Sequence, residues 1–132
     1  EHASVHGHYY GTPKAPVMSQ LKAGRDVILE IDVQGAMQVK ESYPDGVFIF
    51  ILPPSVDALR SRIMHRGTES EEDIQVRLGA AQREMEYLEH YDYYVVNDDL
   101  EKAVDSVKKI MAAEHWKVTD AAGILKRIKG EE

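Results

Sequence analysis

The sequence predicts an α/β protein with parallel strands and helical crossovers, and three observations carry that reading. Three apolar runs read as strands: Asp26 to Val33, Val47 to Leu52, and Tyr93 to Asn97. They are near-continuous in Val, Ile, Leu and aromatics rather than alternating, which marks strands covered on both faces, the habit of parallel sheets. Helical stretches separate them, as parallel crossovers require. The stretch between the second and third runs, about residues 56–90, is longer than a simple crossover needs, and such an insertion reads as a helical lid.

Taken in order, Val17 to Ala23 reads as a short helix with Gly24 just past its end. Ala36 to Tyr43 is a second helix, stopped by Pro44-Asp45-Gly46, a strong turn signal. Ser55 is placed to cap a third, Val56 to His65, ended by Gly67. Thr68-x-x-Glu71 and Ser70-x-x-Asp73 both fit the capping box. The helix that follows is expected to run to about Leu88, with Ile74, Leu78, Ala81, Met85 and Leu88 on one face. Asp98 or Asp99 caps a helix reaching about Trp116, with Leu100, Ala103, Val107, Ile110 and Met111 inward, and Asp120 opens one more short helix in the tail.

At 132 residues and 43% hydrophobic content, the chain has enough apolar material for one domain with a core. No run approaches the roughly 18 apolar residues of a membrane span, nothing at the N-terminus reads as a signal peptide, and the expected location is cytoplasmic. With no cysteine, disulfides and thiolate metal sites are excluded. A net charge of −7 argues against a nucleic-acid groove, which needs a basic surface. It does not argue against nucleotides, because a few local arginines hold a phosphate whatever the global charge. Arg60, Arg62, Arg66 and Arg77 fall within one segment and supply such a site. His2, His6 and His8 lack an acid or Cys partner at fixed spacing, so no protein-held metal is expected there.

The segment richest in chemistry is Glu30-Ile-Asp32-Val-Gln-Gly35. It closes an apolar run with two carboxylates on one side and a turn glycine, a common way to hold a magnesium nucleotide. Upstream stands Gly7-His8-Tyr9-Tyr10-Gly11-Thr12; downstream stand Ile51-Leu52-Pro53-Pro54-Ser55, His65-Arg66-Gly67-Thr68-Glu69-Ser70-Glu71-Glu72, and Val95-Val96-Asn97-Asp98-Asp99. In this order and spacing the five segments resemble guanylate kinase, over about residues 1–116. The fold implied is a parallel sheet of the P-loop-kinase type with flanking helices and a helical lid, here incomplete: 1–24 the remainder of a GMP-binding region, 25–132 the core, with the lid at about 56–90.

The resemblance implies transfer of the γ-phosphoryl group of ATP to GMP or dGMP, with Mg²⁺. Glu1 matches the acid that reads guanine, and the chemistry suits it: guanine N1 and N2 are adjacent donors, and one carboxylate accepts from both. Thr12 matches a hydroxyl on the same ring, and Tyr10 one on the acceptor's phosphate. Asp32 matches an acid near acceptor and transferred phosphoryl, reaching Mg²⁺ through water. Arg62, Arg66 and Arg77 match the cations that close over the phosphates and stabilise charge during transfer, which phosphoryl transfer needs because it leaves the protein little covalent chemistry to do. Asn97 matches the residue on adenine of ATP.

Read without the resemblance, Glu1 is a solvated terminus, Tyr10 a packed turn aromatic, Asp32 an exposed strand end, the arginines partners of Glu69, Glu71 and Glu72, and Asn97 a turn residue.

The chain contains no Gly-x-x-x-x-Gly-Lys-Ser/Thr phosphate loop; the family carries it N-terminal to the point where this sequence begins. The 132 residues alone are therefore expected to show negligible turnover. The family also seats the phosphate-loop strand between the first two strands named above, so open strand edges and self-association are expected. The competing class is a catalytically inactive guanylate-kinase-like module that binds partner proteins; the presence of Asp32, Arg66 and Arg77 argues for descent from an active enzyme.

Overall fold

In the computed structural model, five helices open on a side chain that caps them. Asp32, Ser55, Ser70, Asp99 and Asp120 each accept the backbone N–H three residues on, from Gly35, Ala58, Asp73, Lys102 and Gly123, at 3.0–3.2 Å. Each such cap is worth about 1 kcal/mol to its helix. The structure describes residues 1–5, 8–65, 67 and 70–131, and the side chains of these apart from positions 3, 5 and 8–10. Two compact units emerge, residues 1–50 with 55–94, and residues 51–54 with 95–132.

The first unit begins with an antiparallel hairpin, β1 (His2–Val5) and β2 (His8–Gly11), His2 lying opposite Gly11. Helix α1 (Lys14–Lys22) starts three residues before the sequence expectation. Pro16 is tolerated because N–H groups in a first turn have no intrahelical acceptor. Gly24 has φ 79°, a left-handed geometry that suits glycine and ends α1, the Arg25 N–H returning to the Gln20 carbonyl at 3.1 Å.

Residues 25–32 are not a strand, although Asp26–Val33 reads as one. A strand exists through its ladder, and among the described residues β1 pairs only with β2, and β3 only with β4. The run therefore stays irregular and Ile28 is 73% exposed. Helix α2 (Val33–Ser42) begins at once, earlier than Ala36, because the Asp32 side chain caps it and Val33, Gly35 and Ala36 are buried.

Strand β3 (Ile49–Leu52) pairs with β4 (Tyr93–Val96). The Tyr93 N–H donates to the Phe48 carbonyl at 3.1 Å and the Asn97 N–H to the Leu52 carbonyl at 2.7 Å. The offset is the same at both places, so the pair is parallel, as the apolar runs imply. Between these strands α3 (Val56–Met64) packs on α4 (Glu71–Met85). Ile74 and Leu78, four apart on α4, are buried, and burying such a side chain is worth about 1.5–3 kcal/mol. Beyond Met85 the expected α-helix tightens into a 3₁₀ turn, Glu86–His90, whose shorter bonds satisfy the last carbonyls. The core of this unit is Val33, Ala36, Phe48, Ile74 and Leu78.

In the second unit, α5 (Leu100–Glu114) and α6 (Ala121–Lys129) follow β4. Val95 and Ala103 are buried, but Leu100, expected to point inward, is 72% exposed. As the first residue of α5 it projects beyond the covered stretch of that face, whereas Val107, Ile110 and Met111 are partly covered.

Candidate active site

Glu1 and Thr12 meet at the open end of the hairpin. The antiparallel ladder continues past His2 and Gly11: the Thr12 N–H donates to the Glu1 carbonyl at 2.9 Å, and the Glu1 ammonium to the Thr12 carbonyl at 3.3 Å. The side chains meet as well, since the Thr12 hydroxyl donates to Oε1 of Glu1. The other carboxylate oxygen lies against α2. A Cβ on Gly35 would come 2.6 Å from Glu1 Oε2 and 3.4 Å from Asp32 Oδ1. Two carboxylates thus converge on the first turn of α2, where exposed N–H groups and the positive end of the helix dipole favour negative charge.

Helix α2 also grips β1. Gln38 Oε1 accepts the His2 N–H at 2.9 Å while Gln38 Nε2 donates to the His2 carbonyl, and Gln34 Nε2 donates to the Ser4 carbonyl at 3.2 Å. Sequence reading marked Gly35 only as a turn glycine and assigned no role to Gln34 or Gln38. The one signal present was that Gln34 and Gln38 are four apart on a single helix face.

Arg62 and Arg77 line one cleft of about 270 Å³ between α3 and α4, together with Leu59, Ile63, Ala81 and Glu84. The spacing of the two helices brings these two predicted cations to one place, and Glu84 adds an acid that sequence reading did not single out. Arg60 instead pairs with Glu71 at the surface, the ordinary fate of an exposed helix charge. Arg66 lies outside the described residues, as does the side chain of Tyr10. Glu30 is exposed beside the partly buried Asp32. In the second unit Asn97 stands at the end of β4, partly buried, its N–H held by Leu52.

Tyr91 was not expected. Its ring meets Phe50 edge-on with centroids 4.8 Å apart, and Phe48 at 6.4 Å. Burial, and then the negative charges of Asp32 and Glu84, raise its phenol above the usual tyrosine value. The acid that caps α2 and the acid of the α3–α4 cleft therefore act on one hydroxyl.

Among the described residues no cluster of three or more His, Asp or Glu forms a metal cage. Asp32 Oδ1 accepts the Gly35 N–H at 3.0 Å.

A parallel strand pair, a helical insertion holding two arginines in one cleft, and acids gathered at a helix N-terminus define an α/β protein of the P-loop-kinase type. A family profile described as guanylate kinase matches residues 1–114. The chain is 50% identical over 131 residues to a guanylate kinase of Caldanaerobacter subterraneus subsp. tengcongensis, covering 99% of this chain and 64% of that relative. It is 57% identical over 118 residues to a guanylate kinase of Desulfitobacterium hafniense, covering 89% of this chain and 59% of that relative. The crystal structure of guanylate kinase from Anaplasma phagocytophilum superposes with a TM-score of 0.82 at 34% identity, over 98% of this chain and 63% of that one. The chain belongs to the guanylate kinase family, and it spans less than two thirds of the length of each of these relatives.

Proposed function

We propose that this chain supplies the base-reading hairpin, the acceptor-side acid and the lid of a cytoplasmic guanylate kinase, which transfers the γ-phosphoryl group of ATP to GMP or dGMP. Glu1 and Thr12 address guanine, Tyr10 the acceptor's phosphate, and Asp32 the acceptor and the water shell of Mg²⁺. Arg62, Arg66 and Arg77 hold the phosphates, and Asn97 meets adenine. An oxygen of the GMP phosphate attacks the γ-phosphorus of ATP, and the bond to the β,γ-bridging oxygen breaks to release ADP and GDP. When bound with the nucleotide, Mg²⁺ neutralises charge on the phosphate oxygens. The residues of this chain bind, orient and exclude water.

The observation that carries this reading is the hydrogen bond from Thr12 to Glu1. It joins, across eleven positions, the two residues assigned to guanine, and the Glu1 carboxylate lies against the first turn of α2. The shared cleft of Arg62 and Arg77 supports the phosphate side. The second reading, a protein-interaction module without catalysis, is less favoured because Asp32, Arg66 and Arg77 are all present in the sequence.

Isothermal titration with GMP, AMP and a phosphopeptide separates the readings. Selective GMP binding is expected; binding of the phosphopeptide alone would put the module in its place.

A further inference from the structure

The hairpin that carries Glu1 is fixed by one face of α2 and by one absent side chain. Gln38 spends both ends of its amide on the backbone of His2, the residue next to Glu1, much as a neighbouring strand would. Gly35 lies one turn before it, is buried, and leaves no room for a methyl group: the nearest atom to an added Cβ is Oε2 of Glu1 at 2.6 Å. No native Cβ sits at such a distance from a carboxylate oxygen, so any side chain at position 35 must displace the Glu1 carboxylate.

We propose that Gly35 and Gln38 are positioning residues for base selection: through them α2 sets the place and angle of the Glu1 carboxylate, and so the preference for a purine with adjacent ring N–H and exocyclic amino donors. The inference rests on Glu1 as the base reader. Its physical ground is that a glutamate has three rotatable bonds, and ordering them on ligand binding costs affinity unless the fold has ordered them beforehand. A recognition group must also be held within about 0.5 Å and 10–20° of its working geometry by neighbours that are themselves fixed. Thr12 holds one oxygen of Glu1, Gly35 shapes the seat of the other, and Gln38 anchors the backbone beside it.

The test is made on the full-length protein. Dissociation constants for GMP, for the corresponding nucleotide without the 2-amino group, and for AMP are measured by titration in wild type, Glu1→Gln, Gly35→Ala, Gln38→Met and the pairs, with thermal melts as a fold control. Gly35→Ala and Gln38→Met are each expected to weaken GMP about tenfold while leaving AMP unchanged. In the Glu1→Gln background they should change the GMP/AMP ratio no further, because they act through Glu1. Shortening the acid, in Glu1→Asp with Gly35→Ala, should recover part of the loss by relieving the clash. If Gly35→Ala does not fold, Gln38→Met decides alone. Folded variants that weaken GMP and AMP equally, or neither, overturn the proposal while leaving Glu1 as base reader. An unchanged ratio in Glu1→Gln itself overturns both.

Discussion

The Asp32 carboxylate accepts the Gly35 N–H at 3.0 Å and thereby starts α2 at Val33. One side chain thus has a structural task, for which one oxygen suffices, and a proposed chemical task toward acceptor and metal, which needs negative charge. The two separate by substitution. Asp32→Asn keeps a capping oxygen and should change stability little, while Asp32→Ala should cost about 0.5–2 kcal/mol. In the full-length protein both should lower kcat. Chemical denaturation beside steady-state kinetics reads the pair; an Asn variant with normal kcat would reduce Asp32 to a cap.

Tyr91 gives the fold an alkaline signature. Its phenol is raised by burial, Asp32 and Glu84, so above the unfolded tyrosine value near 10 the unfolded chain loses a proton that the native chain keeps. Stability from this group is complete below pH 10 and is lost as pH rises through the folded value. Urea unfolding of wild type should weaken more steeply above pH 10 than that of Tyr91→Phe. Identical slopes would show that the hydroxyl is no better protected in the fold than in the unfolded chain.

Among the described residues of the first unit, Ile28 is the most exposed large apolar side chain, in a run with no ladder partner. Exposed apolar, strand-like segments invite pairing with another copy. The 132-residue chain should associate as its concentration rises, and Ile28→Lys should suppress this. Light scattering across a dilution series checks it; a monomer at all concentrations in wild type would count against the strand-edge origin.

The arginines of the α3–α4 cleft should act on the reaction more than on acceptor binding. In the full-length protein, Arg77→Ala should lower kcat by a large factor, of the order 10³–10⁵ for an arginine on transferring phosphate, with GMP affinity nearly kept. A normal kcat with a raised GMP KM would move Arg77 from transfer to binding.

Much of this architecture was legible because it is local. Ser55, Ser70, Asp99 and Asp120 cap helices where the sequence places them, since a cap depends on residues three apart. Val47–Leu52 and Tyr93–Asn97 announce their strands through apolar runs, and the parallel pair follows. Asp26–Val33 carries the same signal and forms no strand, because a ladder is a property of two segments and a run specifies one. Leu100 fits the helical period but begins its helix where the face is uncovered. At the candidate site, Glu1, Thr12, Arg62 and Arg77 were singled out through the resemblance to guanylate kinase, and the structure joins Glu1 to Thr12 and puts both arginines in one cleft. Gln38, Tyr91 and the tight seat at Gly35 were not: an amide gripping backbone, a ring packed on Phe48 and Phe50 and a carboxylate crowding a glycine mean something only once distant segments meet.

The most direct test is base selection by Glu1. Replacing it with Gln in the full-length protein removes the charge and sets a donor against a guanine donor in a shielded site. Leaving such a group unsatisfied costs about 1–3 kcal/mol, so kcat/KM for GMP should fall roughly tenfold to over a hundredfold, while AMP, which offers no paired donors, loses less. Measured side by side, a GMP/AMP ratio that narrows by that factor is the expected result. A ratio equal to that of wild type would contradict it, and guanine would then be read somewhere other than the hairpin of Glu1 and Thr12.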